Sequence, residues 1–400
     1  MPSLLDSMRV RLQDRRTLLV AAALLLLGSV LLIFAFHTLY RVDVDVYRIG
    51  GQMIVEGQSL YGRLPIMENG ENLPFTYPPF AAILFTPLAF MPLLVACVLL
   101  PLLSVPALFV SLYLVLREVL PVRGRELLTA AMVATAIGIW TDPFRQTLNF
   151  GQVNAFIMMC VVIDVIAGRG KWWRGVFIGL AVSFKLTPAV FLAFFLVRRD
   201  WRAMVVTVAS TALWTGIGFV VRPHDSWRYW TDVLLNTDRI GDPANKSNQS
   251  LHGFIQRIAG HDVSRIWWFV GCAIVGIFVL LLIHRLGDDE VTGMTVMGLY
   301  GLFASPVSWS HHWMWLAPAF ILVAQRAIRD GSRAARVWLV AAFLTVSWGP
   351  QWGPFVRGDT SQWNWFETLL GNSWLWLLFG AYAIFWSTKQ RVATAPALAT

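Results

Sequence analysis

The chain has 400 residues, 57% of them hydrophobic and 14% charged, with a formal net charge of +9 and a mean hydropathy of +0.60. Soluble domains carry about 25% charged residues, so a soluble enzyme, a nucleic-acid-binding module and a secreted disulfide scaffold are excluded, and an integral membrane protein remains. Roughly ten apolar blocks of about 20 residues use up the length, which leaves no room for a separate soluble domain of ~100 residues. The surplus of Lys and Arg therefore reads as a topology signal, not as a nucleic-acid footprint.

In chain order, residues 1–16 carry Arg9, Arg11, Arg15 and Arg16 and precede an apolar run too long for a signal-peptide core. That run is predicted as an uncleaved first helix. Twelve spans with both termini in the cytoplasm account for the charges: 17–37, 93–116, 126–141, 152–168, 174–184, 186–197, 203–221, 266–284, 291–304, 312–325, 335–349 and 367–386. On this topology 20 of the 32 basic residues fall in cytoplasmic segments, as the positive-inside bias requires. The expected architecture is thus an all-α polytopic membrane protein with a single integral domain over 1–400. It has a cytoplasmic N-terminus at 1–16, a first outer loop at 38–79, a large outer loop at 222–264 and a cytoplasmic tail at 387–400.

Two stretches depart from simple spans. Residues 81–116 hold Pro87, Pro92, Pro101 and Pro106 and are too long for one helix, so an interfacial or re-entrant piece is expected before the true span. Residues 175–197 have basic clusters at both ends, which splits them at Lys185-Leu186-Thr187-Pro188 into two short helices. A broken helix at membrane depth is tolerated where it lines a protein cavity; a single tilted span is the alternative.

Polar chemistry collects on the side assigned as outer. The first outer loop opens with Asp43 and Asp45, and an acid at a membrane-facing cavity is either a general base or a helix-end charge paired with Arg41 or Arg48. In an extended segment the two acids share a side; in a helix they diverge. Tyr77 lies in the rigid segment Thr76-Tyr77-Pro78-Pro79, a cavity wall or an interface anchor. Arg145 follows Asp142-Pro143. Gln152 and Asn154 begin a span, where amides either cap the helix or bind sugar hydroxyls. Lys185, inside an apolar stretch, takes an anion such as a phosphate as its natural partner, with snorkelling as the alternative, and Arg145 could share that anion. His311 and His312, behind Trp309, suit hydrogen bonding to phosphate or sugar, or proton transfer; adjacent histidines do not readily share one metal. Asn248 and Gln249 add a polar cluster in the large loop. Cys97, Cys160 and Cys272 lie in apolar runs without metal or disulfide spacing.

These motifs in this order resemble the GT87 group of GT-C type glycosyltransferases: Asp43 to Tyr47, Thr76-Tyr77-Pro78-Pro79, Gly151-Gln152-Val153-Asn154, Lys185 with Pro188, Asn248-Gln249-Ser250, and Ser305-Pro306 followed by Trp309 and His311-His312. The resemblance implies a GT-C fold with about twelve transmembrane helices, whose periplasmic loops form the active-site cavity in the plasma membrane. It implies a polyprenyl-phosphate-mannose donor, a phosphatidylinositol mannoside acceptor, α-1,2 linkage and an inverting single displacement. It places the catalytic acid on Asp43 by its spacing to Tyr47, with Asp45 as competitor. Lys185, Arg145, His311 and His312 would hold the donor phosphate, and Tyr47, Tyr77, Gln152, Asn154, Asn248, Gln249 and Trp309 would line the substrate cavity. A phosphate leaving group needs no metal, so metal independence and no cofactor are expected, with membrane lipid and no nucleic acid as partners. A polyprenyl-phosphate-arabinose-dependent arabinofuranosyltransferase and a lipomannan mannosyltransferase are the rival enzymes. A secondary transporter is the rival of another class, although no repeated halves are seen.

Overall fold

The computed structural model describes residues 15–35, 39–259 and 263–387. The expected cytoplasmic ends at 1–16 and 387–400 lie outside these residues except for Arg15, Arg16 and Ser387. Among the described residues the chain is helical throughout and has no strand, only one isolated bridge between Asn248 and Trp309. In chain order the helices are α1 (Arg15–Ala35), α2 (Val42–Val55), α3 (Pro79–Ala89), α4 (Leu93–Val119), α5 (Gly124–Ile139), α6 (Asp142–Phe150), α7 (Asn154–Val162), α8 (Val176–Phe184) and α9 (Phe191–Val197). They continue as α10 (Trp201–Val221), α11 (Pro223–Arg228), α12 (Leu251–Ala259), α13 (Ile266–Leu286), α14 (Glu290–Ala304), α15 (Leu316–Arg329), α16 (Arg333–Trp348), α17 (Trp365–Gly371) and α18 (Ser373–Trp386).

By length and composition α4, α10 and α13 can each cross a membrane, and the bent pairs α5–α6 (72°) and α17–α18 (63°) raise the number to five. Proline accounts for several breaks, because it donates no N–H and restricts the residue before it. Pro143 stands in the first turn of α6, just past the α5–α6 bend. Pro79 opens α3, the short helix that occupies the expected re-entrant piece. Between α8 and α9 the chain breaks at Lys185, whose backbone is extended (φ −150°, ψ 126°), and resumes through a 3-10 turn at Thr187–Val190 containing Pro188. The split read from the charges is therefore a real discontinuity.

Two apolar cores organise the helices. The larger runs through α4, α6 to α10, α13 to α16 and α18. The smaller joins α2, residues 60–77, α3 and the start of α4 to Tyr229 and Val233 of the large loop. The segment expected as the first outer loop is thus packed and not a loose connection. Its centre is Tyr47, fully buried and stacked on Phe85 at 4.2 Å. Burial of such a ring is worth on the order of 1.5–3 kcal/mol. Gly50 and Gly51 let this happen, since a Cβ on Gly50 would meet the Phe75 ring at 2.5 Å and one on Gly51 the Phe85 carbonyl oxygen at 2.6 Å.

Polar clasps hold the ends. Asp225 ties the large loop to the first: its Oδ1 accepts from Ser59 Oγ (2.9 Å) and the Leu60 N–H (3.3 Å), and its Oδ2 accepts from Arg222 (2.7 Å), which also donates to the Gln58 carbonyl. At the opposite end of α8 and α14, Glu290 accepts from Arg169 (2.9 Å), Arg174 (2.9 Å) and Arg198 (3.3 Å). Arg169 also pairs with Glu118 at 3.1 Å and Arg174 with Asp200 at 3.1 Å. The buried carboxylate of Asp164 accepts from the Ile178 N–H at 2.6 Å and so satisfies an orphan donor in the first turn of α8.

Candidate active site

The site forms where α2, the Gly151–Asn154 turn, the C-terminal end of α8 and the 3-10 turn at Ser310–Trp315 meet. Asp43 sits in the first turn of α2, where the helix dipole favours a carboxylate. Because the segment is helical, Asp43 and Asp45 project about 200° apart. Asp45 faces away from the site: it is buried, and its Oδ2 accepts from the Tyr40 hydroxyl (3.1 Å) and the Glu68 N–H (3.0 Å). Asp43 faces inward, and its Oδ2 accepts from Gln152 Nε2 at 2.6 Å.

The orientation of the Gln152 amide is set by its partners, since a group that donates through nitrogen must accept through oxygen. Its Oε1 is 3.1 Å from the Tyr47 hydroxyl and 3.3 Å from that of Tyr77, and the two hydroxyls are 3.0 Å apart. Burial pushes the Asp43 carboxyl up to about 6, against the opposing pull of the Gln152 hydrogen bond and the Lys185 charge. A carboxylate so tuned is able to accept a proton near neutral pH.

Lys185 comes from the break after α8. Its Nζ donates to Asn154 Oδ1 at 3.2 Å, lies 3.1 Å from His312 Nε2 and sits over the Tyr77 ring at 5.7 Å. Facing an ammonium, His312 Nε2 accepts and the ring proton belongs on Nδ1. Burial first, then the ammonium of Lys185, pushes His311 well below the usual imidazole range, so its ring is neutral. No carboxylate lies within ion-pairing distance of Lys185 among the described residues. His311 stacks edge-on against Phe150 and His312, and its buried Nε2 has no protein partner. The chemistry-bearing side chains Asp43, Lys185 and His312 keep partial access to the surface, whereas Tyr47, Tyr77, Gln152 and Asn154 behind them are buried.

The other expected site residues stand one layer back. Arg145 Nη2 bonds Asp142 Oδ1 at 3.2 Å, and Asp142 is a buried hub that also accepts from Gln146 and Gln351. Asn248 and Gln249 are fully buried. The Asn248 amide donates to the carbonyls of Pro243 and Pro306 and accepts from the Ser308 N–H at 2.9 Å; that of Gln249 donates to the carbonyls of Lys246 and Gly371. The Asn248 amide locks the large loop onto the Pro306–Ser308 segment and that of Gln249 ties it to Gly371, which occupies their N–H donors. Trp309, half-buried just after that segment, bridges to Asn248.

Sequence reasoning gave no site role to two contributors. Phe184 packs edge-on against Tyr77 (5.8 Å) and completes the aromatic wall under Lys185. Gly151 closes α6 with a left-handed backbone (φ +76°), and a Cβ there would come within 2.1 Å of Val44. A glycine at the end of a helical pattern is the available signal for the second; nothing in the pattern marks the first. Among the described residues no three His, Cys, Asp or Glu side chains come together as a metal group.

Comparison with known proteins agrees with the ordered motifs. Residues 75–306 match the family described as glycosyltransferase family 87. A polyprenol-phosphate-mannose-dependent α-(1-2)-phosphatidylinositol mannoside mannosyltransferase of Mycobacterium tuberculosis is 36% identical over 85% of this chain and 83% of its own. A polyprenol-phosphate-mannose-dependent α-(1-2)-phosphatidylinositol pentamannoside mannosyltransferase of Mycolicibacterium smegmatis is 36% identical over 77% and 76%. An α-(1→3)-arabinofuranosyltransferase of Corynebacterium glutamicum is 22% identical over 54% and 58%. With a match over more than half its length and relatives aligned across more than four-fifths, the chain belongs to glycosyltransferase family 87.

Proposed function

We propose that this protein transfers mannose from polyprenyl-phosphate-mannose to a hydroxyl of a phosphatidylinositol mannoside in α-1,2 linkage, on the outer face of a plasma membrane that it crosses about twelve times with both termini in the cytoplasm. The observation that carries the reading is the convergence on one site of an inward-facing Asp43 and a Lys185 whose hydrogen-bond partners are neutral side chains. The names of the mannosyltransferase relatives supply the sugar and the acceptor class.

In the proposed step Asp43 takes the proton of the acceptor hydroxyl while that oxygen forms a bond to the anomeric carbon. The bond from the anomeric carbon to the phosphate oxygen breaks, its electron pair leaves with the polyprenyl phosphate, and the configuration inverts. The departing phosphate gains negative charge, which Lys185 stabilises from its position over the Tyr77 ring, itself packed on Phe184. His311 and His312 offer ring N–H donors to the same phosphate. Arg145, held by Asp142, contributes its positive field. A phosphate leaves without Lewis-acid help, so the reaction is metal-independent in this proposal. An apolar cavity of about 220 Å³ between α4, α5, α6, α15 and α16, lined by Leu108, Leu112, Ile137, Phe144, Trp313 and Phe343, suits an isoprenoid chain.

The test is mannose transfer to phosphatidylinositol mannosides by the purified protein with EDTA present, comparing wild type with Asp43→Asn and Asp45→Asn. Transfer that survives EDTA and is abolished by Asp43→Asn alone is expected. Loss in EDTA with recovery on adding a divalent cation overturns the metal-free mechanism. Transfer of arabinose in place of mannose overturns the donor assignment, and no transfer by folded wild type with either donor overturns the function.

A further inference from the structure

The base and the cation are held from one short piece of chain. Gln152 bonds Asp43 and Asn154 bonds Lys185, and the two amides stand two residues apart at the junction of α6 and α7. Both are buried, and both are oriented from behind: Gln152 by Tyr47 and Tyr77, and Asn154 by donating Nδ2 to the His311 carbonyl at 3.2 Å. The Thr147 hydroxyl donates to the same carbonyl at 3.2 Å, which fastens α6 to the histidine turn. In front of the turn, Gly151 brings the backbone so close to Val44 that α2 is seated directly on it.

We infer that the Gly151–Asn154 turn is a gauge that sets the distance between proton acceptor and phosphate-binding cation, with Gln152 and Asn154 acting as positioning residues and not as sugar contacts. This inference rests on the function proposed above. Gln152 spends its polar atoms within the protein: one N–H is engaged by Asp43 and its oxygen by two hydroxyls. Its deletion therefore acts through Asp43, while deletion of Asn154 acts through Lys185. The groups that face Asp43 from the packed elements are Tyr47 on α2, Tyr77 ahead of α3, and Lys185 at the end of α8. Both tyrosines stay neutral in the working pH range. The hydrogen bond from Gln152 favours the charged carboxylate, so its loss raises the pH at which Asp43 becomes able to accept a proton.

The experiment uses the full chain in detergent with polyprenyl-phosphate-mannose as donor, pH profiles of kcat, and polyprenyl phosphate as a separate binding probe. Gln152→Ala is expected to lower kcat ten- to a hundredfold, to move the acid limb upward by half a pH unit or more, and to leave polyprenyl phosphate affinity within twofold. Gln152→Glu, which keeps the size and adds a second carboxylate, is expected to move that limb further. Asn154→Ala is expected to weaken polyprenyl phosphate binding fivefold or more with the acid limb unmoved. A raised donor KM with unchanged kcat in Gln152→Ala, or equal losses in all three variants with an unmoved limb, overturns the gauge. Wild type that binds polyprenyl phosphate but transfers no mannose overturns the function instead, and the binding contrast between Gln152→Ala and Asn154→Ala still decides the roles of the two amides.

Discussion

At the end of α8 and α14 that carries Glu290, charge is neutralised by charge: one carboxylate accepts from Arg169, Arg174 and Arg198, and Glu118 and Asp200 complete the set. At the other end of the same helices Lys185 rests on an asparagine and a histidine, and Asp43 on a glutamine. The first cluster consumes its own electrostatics and holds helices together. The second keeps its charges oriented by neutral groups and available to something else, which is what a site that must meet a developing phosphate charge requires.

The contrast can be broken by substitution at either end. The largest effect is expected from Asp43→Asn, which removes the proton acceptor and should lower transfer by about a thousandfold, within the range for general base catalysis. With Asp43 held at about 6, kcat/KM of wild type should fall about tenfold per pH unit below that value and level off above it, because the working form is the deprotonated one. A profile without that limb would remove Asp43 as base. Next in size is Lys185→Met, expected to lower kcat by about a hundredfold, the scale of one lost electrostatic contact in a preorganised site. Lys185→Arg should not restore it, since a guanidinium fork does not fit between Asn154 and His312 as a point charge does.

The opposite outcome is expected from Glu290→Gln. Three arginines lose their shared counter-charge at a carboxylate that is 11% exposed, and removing one partner of a buried ion cluster costs about 3 kcal/mol. The melting temperature should drop while the kcat of the folded fraction changes little. The smallest effect belongs to Asp45→Ala, expected to cost about 1–2 kcal/mol of stability through the Tyr40 and Glu68 hydrogen bonds and to leave kcat within about threefold, a modest structural loss. A kcat loss for Asp45→Ala as large as that for Asp43→Asn would dissolve the distinction between the two acids.

Much of the architecture was legible before the coordinates. Helix breaks at Lys185–Pro188 and around Pro87–Pro92 follow from charge placement and proline chemistry, both local properties. Side-chain direction was not. Asp43 and Asp45 differ only in the face of a helix they occupy, and that helix exists because Tyr47 and Phe85 pack across two segments far apart in sequence. Asn248 and Gln249 have the right chemistry for a sugar, yet tertiary partners from residues 306–308 and Gly371 engage their amides. Residue type indicates what a group is able to bind; the fold decides whether its valence is already filled.

The Asp225 clasp has a consequence for biogenesis. Ser59 and Leu60 find their acceptor only 166 and 165 residues later, and at roughly 5–20 residues per second a ribosome takes on the order of 8–33 s to deliver it. Through that interval residues 59 and 60 lack the residue that fastens them. Thr147 and Asn154 wait over a similar stretch for the His311 carbonyl, 164 and 157 residues downstream. The candidate site is thus assembled late, its front half synthesised long before the segments that close it, and a nascent chain arrested before α11 would carry Asp43 with no finished site around it.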